Sequence, residues 1–486
     1  MSAIVYRRGS IFWALTLIAV GAIFLFQNFY PQVHPWQILA KYWPVLIIFW
    51  GLSKLIDHIQ ARAHPEVVPP PLFSGSEVIL LILILILGTL VSKIVLHPWR
   101  DWAEHFGINA DEEEWANPFL DSFTYTKMLS QPLASNPHVV IVDPRGDVEL
   151  RASDQPTLDG VVKATIRADS EEDAQKIWNQ VQLSFAQQAG QEVFKTNLDS
   201  LSHGGRSVRL DLTLHVPRRS STEITAGRGD ILLDGLQGNA ALSSGHGDVH
   251  VSEMTGLVRV TESGGATEIR NVRGNVEIQG RGGDVDVANV AGSLNVNGEF
   301  SGSVRFQNVT QTARFLSSRT DLTAQSLSGK LDMEMGSLEV NGIDGPFDIS
   351  TRQKDLTILG FKQSVRIRNT NGDVELRAQT PPTRPIEVSL EKGDLELELP
   401  ASSNFEIEAV SNHGEVASDF SAPSLKVNSE GDRPTISGTY GKGGPLIRLS
   451  TAYGTIHLMQ GSSAPAQAAG GASRATRRLT AKEASF

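Results

Sequence analysis

The sequence predicts a mainly β protein in which a parallel β-solenoid, with about 18 residues per coil, lies outside the membrane and follows three transmembrane helices. Two observations predict this fold class. Long apolar runs occur only within the first hundred residues. Apolar residues then recur in steps of nine from Ile231 onwards, with many of the chain's 44 glycines between them. A fixed period with alternating apolar residues is typical of stacked repeats.

The N-terminal part reads as a membrane module over residues 1–98. Its three apolar runs, at about 11–30, 36–56 and 77–96, each have the roughly 20 residues that a helix needs to cross a bilayer. All tryptophans but Trp178 lie in the first 115 residues, several at the ends of these runs, as in an interfacial aromatic belt. A signal peptide does not account for the first run, because a small-residue cleavage site is missing and two further runs follow.

Basic residues predict the orientation of this module. Arg7 and Arg8 precede the first run, and Lys54 and Arg62 follow the second, whereas the intervening turn "NFYPQVHP" has neither Lys nor Arg. The positive-inside rule then places the N-terminus in the cytoplasm. Three spans put the remaining chain on the other side of the cytoplasmic membrane, in the periplasm or outside the cell, with the lipid bilayer as the first partner.

Two segments separate the membrane module from the repeat. The stretch "WRDWAEHFGINADEEEW" combines spaced aromatics with an acidic run. It predicts a juxtamembrane segment and spacer over 99–130, either an interfacial helix or a solvated connector. Alternating apolar residues predict a mostly β N-terminal cap over 131–226. Within this cap, Ser170 followed by Asp173 is a helix-capping pattern and predicts one short helix through Trp178.

The β-solenoid repeats are predicted over residues 227–380. Because side chains alternate along a strand, Val249 and Val251 should face the interior and His250 the solvent. Glycines two residues before the strands are expected to supply positive-φ turns. These are Gly247, Gly256, Gly274, Gly283, Gly292 and Gly302. The first inward residue of each half-coil is predicted at positions 231, 240, 249, 258, 267, 276, 285, 294, 304, 313, 322, 331, 338, 347, 356, 365 and 374.

A second apolar position recurs at double this step and makes the true unit about 18 residues, built from two unequal halves. It is expected to fill one corner of each coil. The residues at this position are Leu236, Met254, Val272, Val290, Val309, Leu327, Ile343 and Phe361. Beyond the repeat, residues 381–460 predict strands that complete or cap the solenoid, and the Ala/Ser/Gly-rich segment 461–486 predicts a disordered tail.

The recurring Gly-Asp pairs, as in "GGDVDVANVAGSLNV", suggest calcium binding or cell adhesion, and turn chemistry accounts for them better. Calcium-binding β-rolls need an acidic residue in every turn, and six to eight oxygen ligands. The positions equivalent to Asp284 carry Asn275, Ser293, Ser303, Lys330 and Pro346. The two Arg-Gly-Asp tripeptides, at 145–147 and 228–230, each open a strand in the same way as the other Gly-Asp turns.

Catalysis is not predicted. The chain has no cysteine, hence no thiolate nucleophile or thiolate metal site. Glu268 and Asp286 form the one close acid pair among outward residues. His203, His246 and His413 stand beside glycines, as loop residues do. The outward positions alternate in charge, with His250, Glu268, Asp286, Arg305 and Thr323 on one sheet and Arg259, Glu277, Asn295, Arg314 and Asp332 on the other.

The residues therefore predict a protein that is not an enzyme, with no catalytic, cofactor-binding or metal site and no cofactor. The net charge of −11 disfavours a nucleic-acid partner. The sequence indicates no particular oligomeric state.

Two stretches carry family resemblances. The repeats "SSGHGDVHVSEMTGLVRVTESGGATEI" and the ending "GTYGKGGPLIRLSTAYGTIHL" resemble the adhesin-type β-solenoid family of bacteria called DUF4097, over roughly residues 135–460. "RRGSIFWALTLIAVGAIFLF" with "YWPVLIIFWGLSKLI" resembles the LiaI/LiaF-type transmembrane region, which occurs in membrane proteins tied to envelope-stress signalling. The first resemblance implies a solenoid without catalytic motifs. No site residue is carried over from either family.

Three functional hypotheses remain from the sequence. The first is a membrane-anchored extracytoplasmic adhesin or envelope-interaction protein that binds other envelope proteins or surface polysaccharide through its sheet faces. The second is a regulatory membrane protein that senses envelope stress and acts on a kinase or a transporter. The third is a polymerising scaffold joined through unpaired strand edges, against which the strands flanking the repeat argue.

Overall fold

The structure is a computed structural model that describes residues 44–45, 47–48, 51–52, 82, 85–86, 120–143, 145–198, 208–429 and 433–461. The predicted spans at 11–30, 36–56 and 77–96 fall outside these residues except for a few helical positions. Residues 99–119 of the predicted juxtamembrane segment and residues 462–486 of the predicted tail also fall outside them. Among the described residues, no helix combines the length and the apolar character needed to cross a bilayer.

The chain divides into two compact units. The first comprises Met1–Lys127, Val162–Ser184 and Thr196–Asp211. Its helix α1 (Glu171–Gln180) begins where the sequence pattern predicts, because the Ser170 hydroxyl accepts a hydrogen bond from the Asp173 N–H at 3.3 Å. The Trp178 ring stacks on Tyr125, with ring centroids 5.5 Å apart.

The second unit comprises Met128–Val161, Phe185–Lys195 and Leu212–Phe486 and contains the repeat. Several strands that precede the repeat are shared between the two units. The strands before the repeat are β1 (Asp121–Pro132), β2 (His138–Asp143), β3 (Val148–Ser153), β4 (Thr157–Ala168), β5 (Leu183–Gln188), β6 (Gln191–Thr196) and β7 (Val208–Pro217).

The first half of the repeat builds two parallel ladders from alternate strands. Its strands are β8 (Ser221–Arg228), β9 (Ile231–Asp234), β10 (Ala240–His246), β11 (Val249–Ser252), β12 (Val258–Glu262), β13 (Thr267–Val272), β14 (Val276–Gly282), β15 (Val285–Val290) and β16 (Leu294–Phe300). β2, β8, β10, β12, β14 and β16 form the first sheet. β3, β9, β11, β13 and β15 form the second sheet.

The register confirms the predicted 18-residue coil in this half. Val249 pairs with Thr267, and Thr267 pairs with Val285, so equivalent residues of successive coils lie side by side. Val249, Val251, Val285 and Val287 are all buried. Every predicted inward position and every predicted corner residue, from Leu236 to Phe361, is buried as well. Apolar contacts between successive coils therefore form the core, since no single coil can bury its own apolar side.

The prediction of an uninterrupted parallel repeat is wrong between residues 304 and 347. Here the strands are β17 (Val304–Leu316), β18 (Thr320–Met333) and β19 (Ser337–Ile343). β17 crosses from the second sheet to the first, turns at 317–319, and β18 returns antiparallel to it through both sheets. β18 is also antiparallel to β19 and to the strand that follows β19. We call this segment the reversal.

The reversal escaped prediction because an alternating apolar pattern looks the same in both chain directions. It also exchanges two predicted outward stacks. Arg305 pairs with Asp332, and Arg314 pairs with Thr323, whereas the sequence pattern assigned Thr323 to the Arg305 sheet and Asp332 to the Arg314 sheet.

Parallel pairing resumes after the reversal, and the chain end is inserted into the stack. The strands are β20 (Phe347–Gln353), β21 (Asp355–Phe361), β22 (Val365–Asn371), β23 (Val374–Arg377), β24 (Ile386–Lys392), β25 (Leu395–Pro400), β26 (Phe405–His413), β27 (Val416–Ser418), β28 (Leu425–Asn428), β29 (Thr435–Tyr440), β30 (Leu446–Tyr453) and β31 (Ile456–Gly461). The last coil, β30 and β31, lies between β24–β25 and β26–β27. The antiparallel pair β28–β29 covers the outer side of β26.

Most corner glycines are needed because the backbones of successive coils approach each other closely there. Only some of these glycines adopt a positive φ. Of the six glycines predicted to adopt positive φ, Gly256 and Gly274 do so. A Cβ at Gly292 would lie 2.2 Å from the carbonyl oxygen of Gly274. The backbones of successive coils thus touch at these corners and leave no room for a side chain. Positive φ also falls on Glu253, Asn271, Asn289, Asn308 and Ser326, each directly before a corner apolar residue.

We expect Gly292→Ala to lower the free energy of unfolding by about 1–3 kcal/mol, because the new methyl group must push two coils apart. Gly336→Ala is the matched control, since a Cβ there meets nothing within 4 Å. Urea denaturation of the purified full-length protein, followed by circular dichroism, measures both. Equal stabilities of the two variants would contradict the close-approach explanation.

Candidate ligand-binding cleft

The Gly-Asp corners lie along one edge of the solenoid, where first-sheet strands lead into second-sheet strands. We call it the aspartate edge. The Asp230 carboxylate accepts a hydrogen bond from the Asp248 N–H at 2.8 Å, and Asp248 accepts one from the Ala266 N–H at 2.8 Å. After the reversal, Asp355 and Asp373 repeat the arrangement. These carboxylates therefore satisfy backbone donors of the next coil.

The reversal opens a cleft in the aspartate edge. Between residues 303 and 354 the chain turns back within each sheet, at 317–319 in the first and at 334–336 in the second, so no segment crosses between the sheets at this edge. The resulting cleft has a volume of about 640 Å³. We call it the reversal cleft. Its lining includes Phe300, Ser301, Ser317, Ser318, Arg319, Thr320, Glu334, Met335, Thr351 and Lys354.

Lys354 occupies the position that glycine holds in the following coils. A Cβ at Gly372 would lie 2.3 Å from the Lys354 carbonyl oxygen, and one at Gly393 would lie 2.1 Å from that of Gly372. Lys354 tolerates a side chain because its coil is the first after the reversal. That side chain is only 9% exposed. Its ammonium group donates hydrogen bonds to the carbonyl oxygens of Glu334 and Met335, the latter at 3.1 Å.

Two glutamates, Glu299 and Glu334, line the cleft, but neither carboxylate pairs with Lys354. Burial, followed by repulsion from Arg319, lowers the pKa of Lys354. The Glu299 carboxylate instead accepts a hydrogen bond from the Ser318 N–H at 2.6 Å. Among the described residues, no carboxylate forms an ion pair with Lys354 or with Arg319. The cleft thus holds one buried and one exposed cation near each other.

On the outer face of the second sheet, acidic and basic side chains form ion pairs with one another. Arg270 bridges Glu268 and Asp286, and Arg305 bridges Asp286 and Asp332, so charges alternate across successive coils. A hydrogen bond from Arg270 lowers the pKa of Glu268. Arg270 therefore forms ion pairs with both members of the acid pair noted in the sequence, Glu268 and Asp286. This arrangement is typical of structural ion pairs.

The Glu262 carboxyl lies inside the core. Glu262 is 2% exposed and accepts a hydrogen bond from the Thr267 hydroxyl at 2.6 Å, whereas its Oε1 atom has no partner in the described structure. Burial raises the pKa of Glu262 to about 7, and the Asp248 charge acts in the same direction. Equivalent inward residues in other coils donate to corner carbonyls, as Ser244 does to Gly247 at 2.9 Å. A protonated Glu262 could donate in the same way.

No catalytic, cofactor-binding or metal residue is predicted from the sequence, and the apolar pattern predicts no role for Lys354 or Glu262. The sequence nevertheless contains a signal for each residue. Lys354 replaces glycine in a Gly-Asp corner, "QKDL" where later coils have "NGDV" and "KGDL". Glu262 is a charged residue at the end of an inward-facing pattern. The apolar positions define the period of the repeat, and neither of these residues is apolar.

Fold and sequence together define a repeat β protein. The profile described as Toastrack DUF4097 matches residues 139–459, and the profile described as LiaI-LiaF-like transmembrane region matches residues 11–55. The chain belongs to the Toastrack DUF4097 family, as the sequence resemblance implied. No curated protein matches the chain.

Several solved structures are similar to this chain at low identity. A "putative cell adhesion protein" from Clostridium sporogenes shares 12% identity over 70% of this chain and 100% of its own, with a TM-score of 0.16. A "putative adhesin" from Bacteroides fragilis shares 11% over 69% and 97%, with a TM-score of 0.18. Another from Parabacteroides distasonis shares 11% over 70% and 98%, with a TM-score of 0.19. The family assignment rests on the sequence profile and not on these superpositions.

We expect the stability of the protein to fall as pH rises from about 5 to about 7, and Glu262→Gln to remove this fall. The Glu262 carboxyl ionises near its ordinary pKa of 4.5 in the unfolded chain, but only near 7 in the folded protein. Ionisation therefore favours unfolding in this window, by up to about 3 kcal/mol. Urea denaturation of the full-length protein at pH 5 and pH 8 measures the difference.

The control for this experiment is Glu277→Gln on the neighbouring strand, because Glu277 faces solvent in an ion pair with Arg259. It should keep the pH dependence of the unmodified protein. A Glu262→Gln variant that loses stability in parallel with the unmodified protein would show that another group carries the effect.

Proposed function

We propose that this protein is a membrane-anchored, extracytoplasmic β-solenoid that binds envelope components and catalyses no reaction. In this proposal residues 1–98 anchor the chain with three helices and 99–130 form a spacer. Residues 131–226 cap the solenoid of 227–380, 381–460 complete or cap its other end, and 461–486 form a disordered tail. The N-terminus lies in the cytoplasm and the β domain in the periplasm or outside the cell.

The observation that carries the proposal is the joining of a LiaI-LiaF-like transmembrane region to a Toastrack domain in one chain. The described side chains add support. Arginine bridges on the outer face and aspartate acceptors at the corners use charged groups to hold coils together. The similar solved structures from Clostridium sporogenes and Bacteroides fragilis carry names that refer to adhesion. Other envelope proteins and surface polysaccharide are the partners that this arrangement suits.

Because the chain contains no cysteine, single-cysteine labelling can test the topology. We expect Lys426→Cys, on the exposed strand β28, to react with a membrane-impermeant maleimide in cells whose cytoplasmic membrane is intact. Gln60→Cys, between the second and third predicted spans, should react only after that membrane is permeabilised. The reverse labelling pattern would contradict the proposed orientation.

Crosslinking from the Lys426→Cys position in intact cells tests the binding function. We expect covalent adducts with envelope proteins or with surface polysaccharide, identified by mass spectrometry and by glycan staining. The unmodified cysteine-free protein is the control. Adducts with cytoplasmic proteins alone, or turnover of a polysaccharide substrate by the purified protein, would overturn the proposal.

A second candidate function is regulation of a kinase or a transporter by the membrane region. The LiaI-LiaF-like match at residues 11–55 favours it. Replacement of residues 11–55 by two unrelated transmembrane helices in the full-length protein separates the two functions. Loss of a co-purifying kinase or transporter, with the extracytoplasmic crosslinks retained, would support regulation as a separate role.

A further inference from the structure

We propose that the reversal cleft binds an anionic saccharide, whose carboxylate lies between Lys354 and Arg319. This inference deepens the proposed function, on which it rests, because it names a site and a ligand class for the binding of surface polysaccharide. The cleft is the place where the solenoid edge is open, and its volume of about 640 Å³ lies within the range of small-molecule sites.

The first argument is the missing counter-ion of Lys354. An ammonium group on a residue that is only 9% exposed carries a desolvation cost unless an anion or several hydrogen bonds compensate it. Two backbone carbonyls supply partial compensation. An ammonium has three donors, so one remains for a further acceptor. Since no described carboxylate pairs with Lys354, a ligand oxyanion is the natural third partner.

The second argument is Arg319, which raises the positive potential where Lys354 already lies. Its backbone is fixed by the turn, since the Ser317 hydroxyl accepts a hydrogen bond from the Arg319 N–H at 3.3 Å and the Thr351 hydroxyl donates to the Arg319 carbonyl at 3.4 Å. Its guanidinium side chain is exposed and lines the cleft. A planar guanidinium matches a carboxylate in a bidentate fashion.

The third argument concerns the body of the ligand. Ser301, Ser317, Ser318 and Thr320 line the cleft. The first two donate to backbone carbonyls and Thr320 bonds to Thr351, so the exposed Ser318 hydroxyl is the one that can donate to a sugar hydroxyl. The Phe300 ring also lines it, with its centroid 6.5 Å from that of Phe315, and offers an apolar surface for a sugar ring. The lining also includes Glu299 and Glu334, whose carboxylates form no ion pair with Lys354 or Arg319 in the described structure. The two cations and the aromatic ring favour an acidic sugar over a purely apolar ligand.

Calorimetric titration of the full-length protein in detergent tests the proposal. The probes are a hyaluronan tetrasaccharide, which carries glucuronate carboxylates, the same tetrasaccharide with its carboxyl groups reduced to alcohols, and inorganic phosphate. We expect the acidic tetrasaccharide to bind, and the reduced one to bind at least about tenfold more weakly, since a hydrogen bond to a charged group contributes this much.

Variants locate the site. Arg319→Gln should weaken binding of the acidic tetrasaccharide about tenfold or more, and Arg319→Lys should restore part of the affinity. Arg281→Gln is the matched control, because Arg281 is an exposed corner cation outside this cleft. Lys354→Met should also abolish binding, and its circular dichroism spectrum checks that it remains folded. Arg319→Gln does not depend on that check.

Four results would overturn the proposal: no binding of the acidic tetrasaccharide, equal binding of the reduced form, unchanged binding by Arg319→Gln, or phosphate binding as tightly as the tetrasaccharide. Any of these, with the envelope crosslinks from Lys426→Cys retained, removes the assignment of the cleft and leaves the proposed function standing. If those crosslinks are also absent, both the assignment of the cleft and the proposed function are contradicted.

Discussion

The fold depends on how closely the backbones of successive coils approach one another at the corners. A carbonyl oxygen of one coil lies where the next coil would carry a Cβ, as between Gly274 and Gly292. Side chains are therefore excluded at these corners, and aspartate follows the glycine at many of them to accept the N–H of its neighbour. The sheets, the valine core and the flat outer faces can exist only because the corners allow this spacing.

Side chains near the corners complete the hydrogen bonding of the interior. Ser244, Thr451 and Ser411 are buried, and each donates a hydroxyl hydrogen bond to a corner carbonyl. Glu262 stands at an equivalent position with a group that can donate only when protonated. Burial raises the pKa of Glu262, so this carboxyl keeps its proton, and with it a donor, to a higher pH than an exposed glutamate does.

The sequence pattern predicted which side chains are buried, because burial depends on the alternation of apolar residues. It did not predict the direction in which each strand runs. Val249, Thr267 and Val285 recur at the predicted spacing of 18 residues, so the coil, its core and the outward faces before the reversal were accessible from the sequence. The reversal at β17–β19 was not, because Leu322 and Leu331 face the core whichever way the strand runs. Lys354 was overlooked for a related reason, since its meaning depends on the reversal that makes room for its side chain.

β30 and β31 lie between strands that precede them in the sequence, and this order has a consequence for biosynthesis. A ribosome delivers the chain from its N-terminus, yet the coil built from β26 and β27 finds its partner only in residues that are translated after it. This end of the domain cannot grow one coil at a time. It is complete only when residues up to Gly461 have emerged, because β30 and β31 supply the parallel strands with which β26 and β27 pair.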